Sequence, residues 1–289
     1  MDGVLNIDKP SGMTSHDVVA KVRKALRIKK VGHAGTLDPM ATGVLLVLVG
    51  HATRIADLLM QGEKEYRATC ALGATTTTED SSGDITSTTD ASQVSKEALL
   101  SILPKFRGEI QQIPPMVSAV HHEGQRLYEL ARKGQEVHRE PRQVTIYSLD
   151  LLDFRPGESA LANLNIVCSR GTYIRTICAD IGRELGVGGH MSALARTRVG
   201  SFTLENAVSL DEVLTGEASF VSMDEALPDL PAVVLDESSA NAVLNGSRVP
   251  LLEPICAELV KLHDPSGKLI ALARVEQDAL QPTKVFVGH

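Results

Sequence analysis

A large mixed α+β domain followed by a small β-rich module is the fold class that the sequence predicts. Three observations carry it. The run VLLVLVG at 44–50 is continuous, β-branched and too short for a typical helix, as suits a strand buried on both faces. In KEYRATCALG, Tyr66, Ala68, Cys70 and Leu72 alternate with Arg67, Thr69 and Ala71, the period of a half-buried strand. Composition then shifts: of 29 Lys+Arg and 36 Asp+Glu, 24 and 22 fall in residues 1–204, leaving 5 and 14 for the remainder.

Each element follows from local pattern. Gly3 to Asp8 reads as a short opening strand, and Ser15 is placed to cap a helix on which Val18, Val22 and Leu26 recur at helical spacing. After the 44–50 strand a helix is expected with Ile55, Leu58 and Leu59 inward and Gly62 at its stop. TTTTEDSSGD at 75–84 is polar and contains Gly, so it is expected to be a surface loop. Ser95 opens a helix carrying Leu99, Leu100 and Leu103 and ending at Pro104. The stretch 114–148 opens on Pro-Pro, continues into the amphipathic RLYELARKG and looks inserted between sheet elements. Strands resume at 143–154 and 161–169, and a helix runs from Thr172 to Leu185. Residues 219–231 carry two prolines and resemble a linker. From about Ala232, the runs ELVKLHD, LIALARVE and KVFVG surround one small helix. The expected domains are thus 1–218 and 232–289, with 114–148 as an insertion.

Composition narrows the function classes. No apolar run approaches the ~18 residues of a membrane span, and MDGVLNIDKP has no basic n-region of a signal peptide. Four scattered cysteines without CxxC argue for reduced thiols and against zinc, so a cytoplasmic, metal-free protein is expected. The net charge of −7 opposes nucleic-acid binding only until its distribution is read. Val18 to Leu37 holds Lys21, Arg23, Lys24, Arg27, Lys29 and Lys30 with no acid, so a phosphate-binding face on the first two thirds is possible.

The densest feature is GHAGTLDPMATGVL at 32–45. It lacks the Lys of a phosphate-binding P-loop, and its centre is one carboxylate, Asp38. An Asp-Pro ordinarily serves its own turn. Asp38, however, lies between a basic helix and a buried strand, where a carboxylate can act as nucleophile or base. This stretch resembles the active-site motif of the TruB family, enzymes that isomerise the T-loop uridine of tRNA at position 55. VLNIDKPSGMTSHDVV, KEYRATCALGATTTTED, CSRGTYIRTICADIGRELG and HMSALARTRVGSF are similar to the family's other motifs, in the expected order across most of residues 3–202.

The resemblance implies a pseudouridine synthase fold, a mainly antiparallel sheet flanked by helices, with an inserted thumb and a small PUA-like domain at the end. It implies that Asp38 is the reacting carboxylate, that Tyr66 stacks on the flipped base and takes part in proton transfer, and that Arg175 pairs with Asp38 and keeps it ionised. Tyr173 would pack beside the base, Leu194 would wall the pocket, and His33 would hold the extruded nucleotide. Lys9 and Pro10 would brace the tyrosine motif. In the thumb, Arg126, Arg132, Lys133, Arg139 and Arg142 suit phosphates, and the whole segment is expected to be mobile without RNA. The implied partner is the tRNA T-arm; a monomer without metal or organic cofactor is expected, because isomerisation needs neither redox change nor a donor.

The sequence departs from the pattern at Val117 (usually aromatic), His121 (usually Lys) and Ala195-Arg196 (usually paired arginines). Other readings are a non-catalytic tRNA binder and a guide-RNA-directed relative of the dyskerin type; the insertion argues against the second. A glycosidase would want two carboxylates across its site, and these motifs supply only Asp38.

Overall fold

The computed structural model describes the chain except residues 1, 119–120, 123–124, 127–134, 136 and 287–289, together with the backbone alone of His121, His122 and Arg126. Among the described residues ten strands build the main sheet: β1 (Gly3–Lys9), β2 (Val31–Ala34), β3 (Thr42–Val49), β4 (Lys64–Leu72), β5 (Gly108–Gln112), β6 (Arg142–Arg155), β7 (Leu161–Cys168), β8 (Gly189–Val199), β9 (Phe202–Thr203) and β10 (Val208–Ser209). Their order is β10-β1-β3-β8-β4-β7-β6-β5, with β2 on β3 and β9 on β8.

β3 is buried on both faces, as its unbroken apolar run predicts. Leu45, Val47 and Val49 enter one core, with Tyr66, Val18 and Val22 of α1 (Ser15–Leu26), Leu99 of α3 (Lys96–Ile102) and Ile177 of α4 (Ile174–Glu184). Val44, Leu46 and Leu48 enter a second core on the opposite face, shared with Leu269, Leu272 and Phe286 of the C-terminal module. That module is a five-stranded sheet of β11 (Ala232–Val234), β12 (Val249–Pro250), β13 (Leu259–His263), β14 (Leu269–Glu276) and β15 (Ala279–Val285), in the order β11-β13-β14-β15-β12. Its own core includes Val243 of a small helix, Glu237–Leu244.

Several expectations are corrected. α1 is capped by Thr14 in a capping box with Asp17, not by Ser15, which is its first residue and turns its hydroxyl inward to Leu37. The expected helix after β3 is a 3₁₀ turn, Gly50–Ile55, running into the four-residue α2 (Ala56–Leu59), with Leu58 only half-buried. α3 stops at Ile102 and a 3₁₀ turn, Leu103–Phe106, accommodates Pro104; Leu100 is exposed. The 75–84 segment is no simple surface loop. It starts in the strand Ala74–Thr76, which pairs with Ile85–Thr88, and it buries Asp80. Residues 143–148, read both as the end of the insertion and as the start of a strand, belong to β6, which begins at Arg142, paired with Gln112 of β5. The 219–231 segment is packed against the sheet: Val221 bridges Val4, and Ala226 and Leu227 are buried. Among the described residues no helix is long and apolar enough to cross a membrane.

Candidate active site

β3 changes partner on one edge. β8 pairs it at Thr42 and Gly43, whereas β2 pairs it from Leu46 to Val49. The chain between β2 and β3 bulges out at this fork, and Asp38 sits on the bulge. A loop without ladder partners must find other donors for its carbonyls, and here every carbonyl from Gly35 through Ala41 has one. Arg196 donates to Gly35 at 3.0 Å and Thr36 at 3.4 Å. Ser15 takes Leu37 at 3.2 Å, and Ala41 N closes a turn on Asp38 at 3.1 Å. Gly12 N and Lys9 Nζ share Pro39, Ser11 takes Met40, and Lys9 takes Ala41 at 2.7 Å. The resulting loop is rigid enough to hold a carboxylate in place.

Lys9 therefore braces the Asp38 loop rather than the tyrosine strand. It is fully buried, its burial pushes the ammonium pKa down, and its three carbonyl bonds leave it no direct contact with a ligand in solution.

Arg175 meets Asp38 from the first turn of α4. Its Nε lies 3.1 Å from Oδ2, and its Nη2 donates to Oδ1 at 3.5 Å. The arginine is 4% exposed, so it is buried against the site and is not a surface helix residue. It also donates to Thr78 O at 3.3 Å and to Val117 O at 2.9 Å, and its Nη1 stands 3.6 Å from Asp80 Oδ2. Asp80 is thus a second carboxylate at the site, missed because its neighbours read as a polar loop. Its oxygens are engaged by Thr78, by Ser82 and by Arg175, and it is almost wholly buried. It does not face an open cleft as the second carboxylate of a glycosidase must.

The Asp38 pKa lies above the ordinary carboxylate value. Burial is the leading cause; Arg175 opposes it, Asp80 adds to it and Lys9 opposes it. Arg175 therefore pulls towards the ionised form, as expected, but does not outweigh desolvation. A carboxylate with its pKa raised is a better base when it does ionise.

Tyr66 pairs across the sheet with Arg196 of β8 and, like Leu194, points into the core beneath this site. Burial raises its hydroxyl pKa while Arg196 lowers it. His33 on β2 packs edge-on against His16, ring centroids 5.2 Å apart. Burial, with His16 and Arg196 nearby, pushes its pKa down to about 4, so it is neutral at neutral pH. Tyr173 is the residue before α4, and the buried Gln112 side chain clamps its backbone through both N–H (2.7 Å) and carbonyl (3.0 Å). Arg142 is exposed at the start of β6, and Arg139 donates to Pro114 O. Arg132 and Lys133 lie outside the described residues, as does the Arg126 side chain. No group of His, Cys, Asp and Glu among the described residues is arranged to hold a metal ion.

The TruB family pseudouridylate synthase N-terminal domain matches residues 23–174, and the tRNA pseudouridylate synthase B C-terminal domain matches residues 175–236. The chain belongs to the TruB family. A Symbiobacterium thermophilum protein named tRNA pseudouridine synthase B is 52% identical over 246 residues, 85% of this chain and 82% of its own. One of the same name from Syntrophomonas wolfei is 45% identical, over 99% of both chains. Among solved structures, an H/ACA RNP bound to a substrate RNA containing 2′-deoxyuridine aligns with a TM-score of 0.74 at 28% identity, over 99% of this chain and 85% of that one. A Cbf5-Nop10-Gar1 complex aligns at 0.73 and 30%, with the same coverage. This TruB chain is accordingly a pseudouridylate synthase, an isomerase, with the mixed sheet and C-terminal β-rich domain of that fold.

Arg196 is the residue of the TruB site that the sequence undervalued. It is 2% exposed and donates to Val44 O at 2.8 Å as well as to the Gly35–Thr36 turn, so it fills the fork in β3's pairing. Gly43 lies beside it at φ 96°, and an added Cβ there would meet the Arg196 backbone carbonyl at 2.2 Å.

Proposed function

We propose that this chain converts uridine at position 55 in the T loop of tRNA to pseudouridine, with Asp38 as the nucleophile or base. The observation that carries the proposal is the Asp38 carboxylate, set on a fully bonded loop and gripped by a buried arginine. Membership of the TruB family supplies the reaction class, and relatives named tRNA pseudouridine synthase B support the substrate.

The target base is stacked in its loop, so it must be extruded before C1′ and C5 can be reached. Tyr66 and Leu194, on adjacent strands, offer an aromatic and an aliphatic surface for the flipped uracil. Neutral His33 suits packing against an uncharged nucleoside better than pairing with phosphate. Phosphate contact falls to Arg142, Arg126 and Arg132 around the inserted thumb. The C1′–N1 bond then breaks with its electron pair on uracil, the base rotates, C1′–C5 forms, the C5 proton leaves and N1 takes up a proton. Attack at C6, attack at C1′ and removal of a ribose proton all require ionised Asp38, which is the form that Arg175 favours. No donor or redox partner enters this balance, and the chain acts alone, as a monomer.

The test uses a T-arm stem-loop carrying tritium at uridine C5, given to the purified chain. Release by wild type that Asp38→Asn abolishes, with RNA binding retained, is the expected result. Folded wild-type chain that binds the RNA and releases no label would make the protein a non-catalytic tRNA binder.

A further inference from the structure

The reading of Asp38 as the reacting group leaves open what fixes its partner. Helix α4, which carries Arg175, starts at Tyr173 without a side-chain cap. An uncapped first turn is held loosely unless something else grips it. Beside the bonds of Arg175 itself, two contacts do so: Gln112 on the Tyr173 backbone, and Glu79, whose Oε2 accepts from Thr176 Oγ1 at 2.7 Å. Thr176 is buried and directly follows Arg175. A carboxylate beside a helix's first turn is also favoured by the helix dipole.

Glu79 holds this contact from a costly backbone position. Its φ is 61°, the left-handed region that glycine occupies freely and other residues seldom do. The backbone there has its own partners, since Glu79 N donates to Thr76 O at 3.3 Å and Met191 N donates to Glu79 O at 3.0 Å. Glycine would keep both bonds without strain, so the side chain is what the strained position retains. The next residue, Asp80, reaches Arg175. Two consecutive carboxylates on one loop therefore engage two consecutive residues of α4.

We infer that Glu79 is a positioning residue for the isomerisation, fixing the first turn of α4 through Thr176 and so holding the Arg175 guanidinium against Asp38. The inference rests on the function proposed above. Among the described residues Glu79 makes no hydrogen bond to Asp38; its side chain bonds Thr176 and acts through the helix.

The test compares full-length wild type with Glu79→Ala, Glu79→Gly, Glu79→Gln and Thr176→Val. Single-turnover tritium release from the T-arm stem-loop is measured beside the dissociation constant for the same RNA and the melting temperature. Misplacing a catalytic group by a fraction of an ångström to 1 Å costs rate rather than affinity, so Ala, Gly and Thr176→Val are expected to react about 10- to 100-fold more slowly with dissociation constants within about twofold. Glu79→Gln keeps an oxygen for Thr176 and is expected to stay within about threefold of wild type. Glu79→Gly relieves the backbone, so its melting temperature should not fall below that of Glu79→Ala while its rate stays low. Because both side chains act through one bond, the Glu79→Ala/Thr176→Val double variant should be no slower than either single one. Ala and Gly variants within about threefold of the wild-type rate would overturn the inference, as would a Gln variant as slow as Ala. So would losses that follow RNA affinity or the folded fraction. Wild type that binds the RNA and releases no label would instead overturn the proposed function first.

Discussion

At the scale of single residues, the site is a contest between desolvation and pairing around Asp38. Its folded pKa is raised, so the fold favours the protonated carboxyl. That contribution is fully present below the unfolded pKa and is lost as pH rises through the folded one. Towards neutral pH the raised pKa is therefore a burden on the fold, and Asp38→Asn is expected to melt no lower than wild type at about pH 7. The comparison should turn against Asn at about pH 4, where wild type regains its favoured proton. Thermal melts of both at the two pH values check this, and a variant several degrees less stable at neutral pH would refute it. Arg175 serves four acceptors at once, Asp38, Asp80, Thr78 O and Val117 O, through the fork of its guanidinium. Lysine has one nitrogen and no fork, so Arg175→Lys is expected to lose about 100-fold in single-turnover rate. Its RNA affinity, which depends on other residues, should change little. Asp38 was legible from its motif, and Arg175 from the family's. Asp80 was not, because a polar, glycine-containing stretch looks the same whether it faces water or wraps an arginine.

At the scale of elements, the decisive feature is the fork where β3 exchanges β8 for β2. Gly43 sits at its apex with positive φ and no room for a side chain. Gly43→Ala is expected to push β8 away from β3 at Arg196, combining backbone strain with overpacking. Each of those mechanisms costs on the order of 1–3 kcal/mol. Denaturant unfolding should register the sum, and a loss under about 1 kcal/mol would show that the fork tolerates a methyl group. The strands themselves were readable, since burial on both faces leaves an unbroken apolar run and burial on one face leaves alternation. The fork was not, because changing partner on one edge alters no hydrophobic period. The cap of α1 was misassigned to Ser15 by one position for a related reason. Thr14 and Ser15 are equally good caps in sequence, and only the neighbouring Leu37 draws the Ser15 hydroxyl inward.

At the scale of the whole molecule, the C-terminal module shares a core with the main sheet. Leu269, Leu272 and Phe286 pack in the same cluster as Val44, Leu46 and Leu48 of β3, the strand that leads out of the Asp38 loop. Polar contacts rim the junction: Lys284 pairs with Asp57 at 2.8 Å, and Lys261 with Asp224 at 2.8 Å. The Lys284–Asp57 pair, exposed on its carboxylate side, contributes little beside apolar burial, whereas Lys261 is itself buried at the junction. Removing residues 232–289 is therefore expected to lower the melting temperature of the remaining domain and to slow label release even where RNA affinity survives. A truncated chain that melts like the full one, with wild-type rate, would refute the shared core as a support for the site. The buried junction packs the module against the main sheet, whatever its acidic surface meets.

The sequence by itself determined the fold class, most of the strands and the family, and it singled out Asp38 as the carboxylate proposed to react. Those depend on hydrophobic period, on glycine and proline at fixed offsets and on motif order, all of which are written along the chain. Only the tertiary structure decided which side chains hold that carboxylate in place. Lys9, Ser15, Arg196, Gln112, Asp80 and Glu79 are polar residues that each bond to a partner distant in sequence or on a different element. A polar side chain facing water and one buried against a backbone carbonyl have the same letter. The free energy that separates them comes from desolvation and pairing, which exist only once the chain has folded.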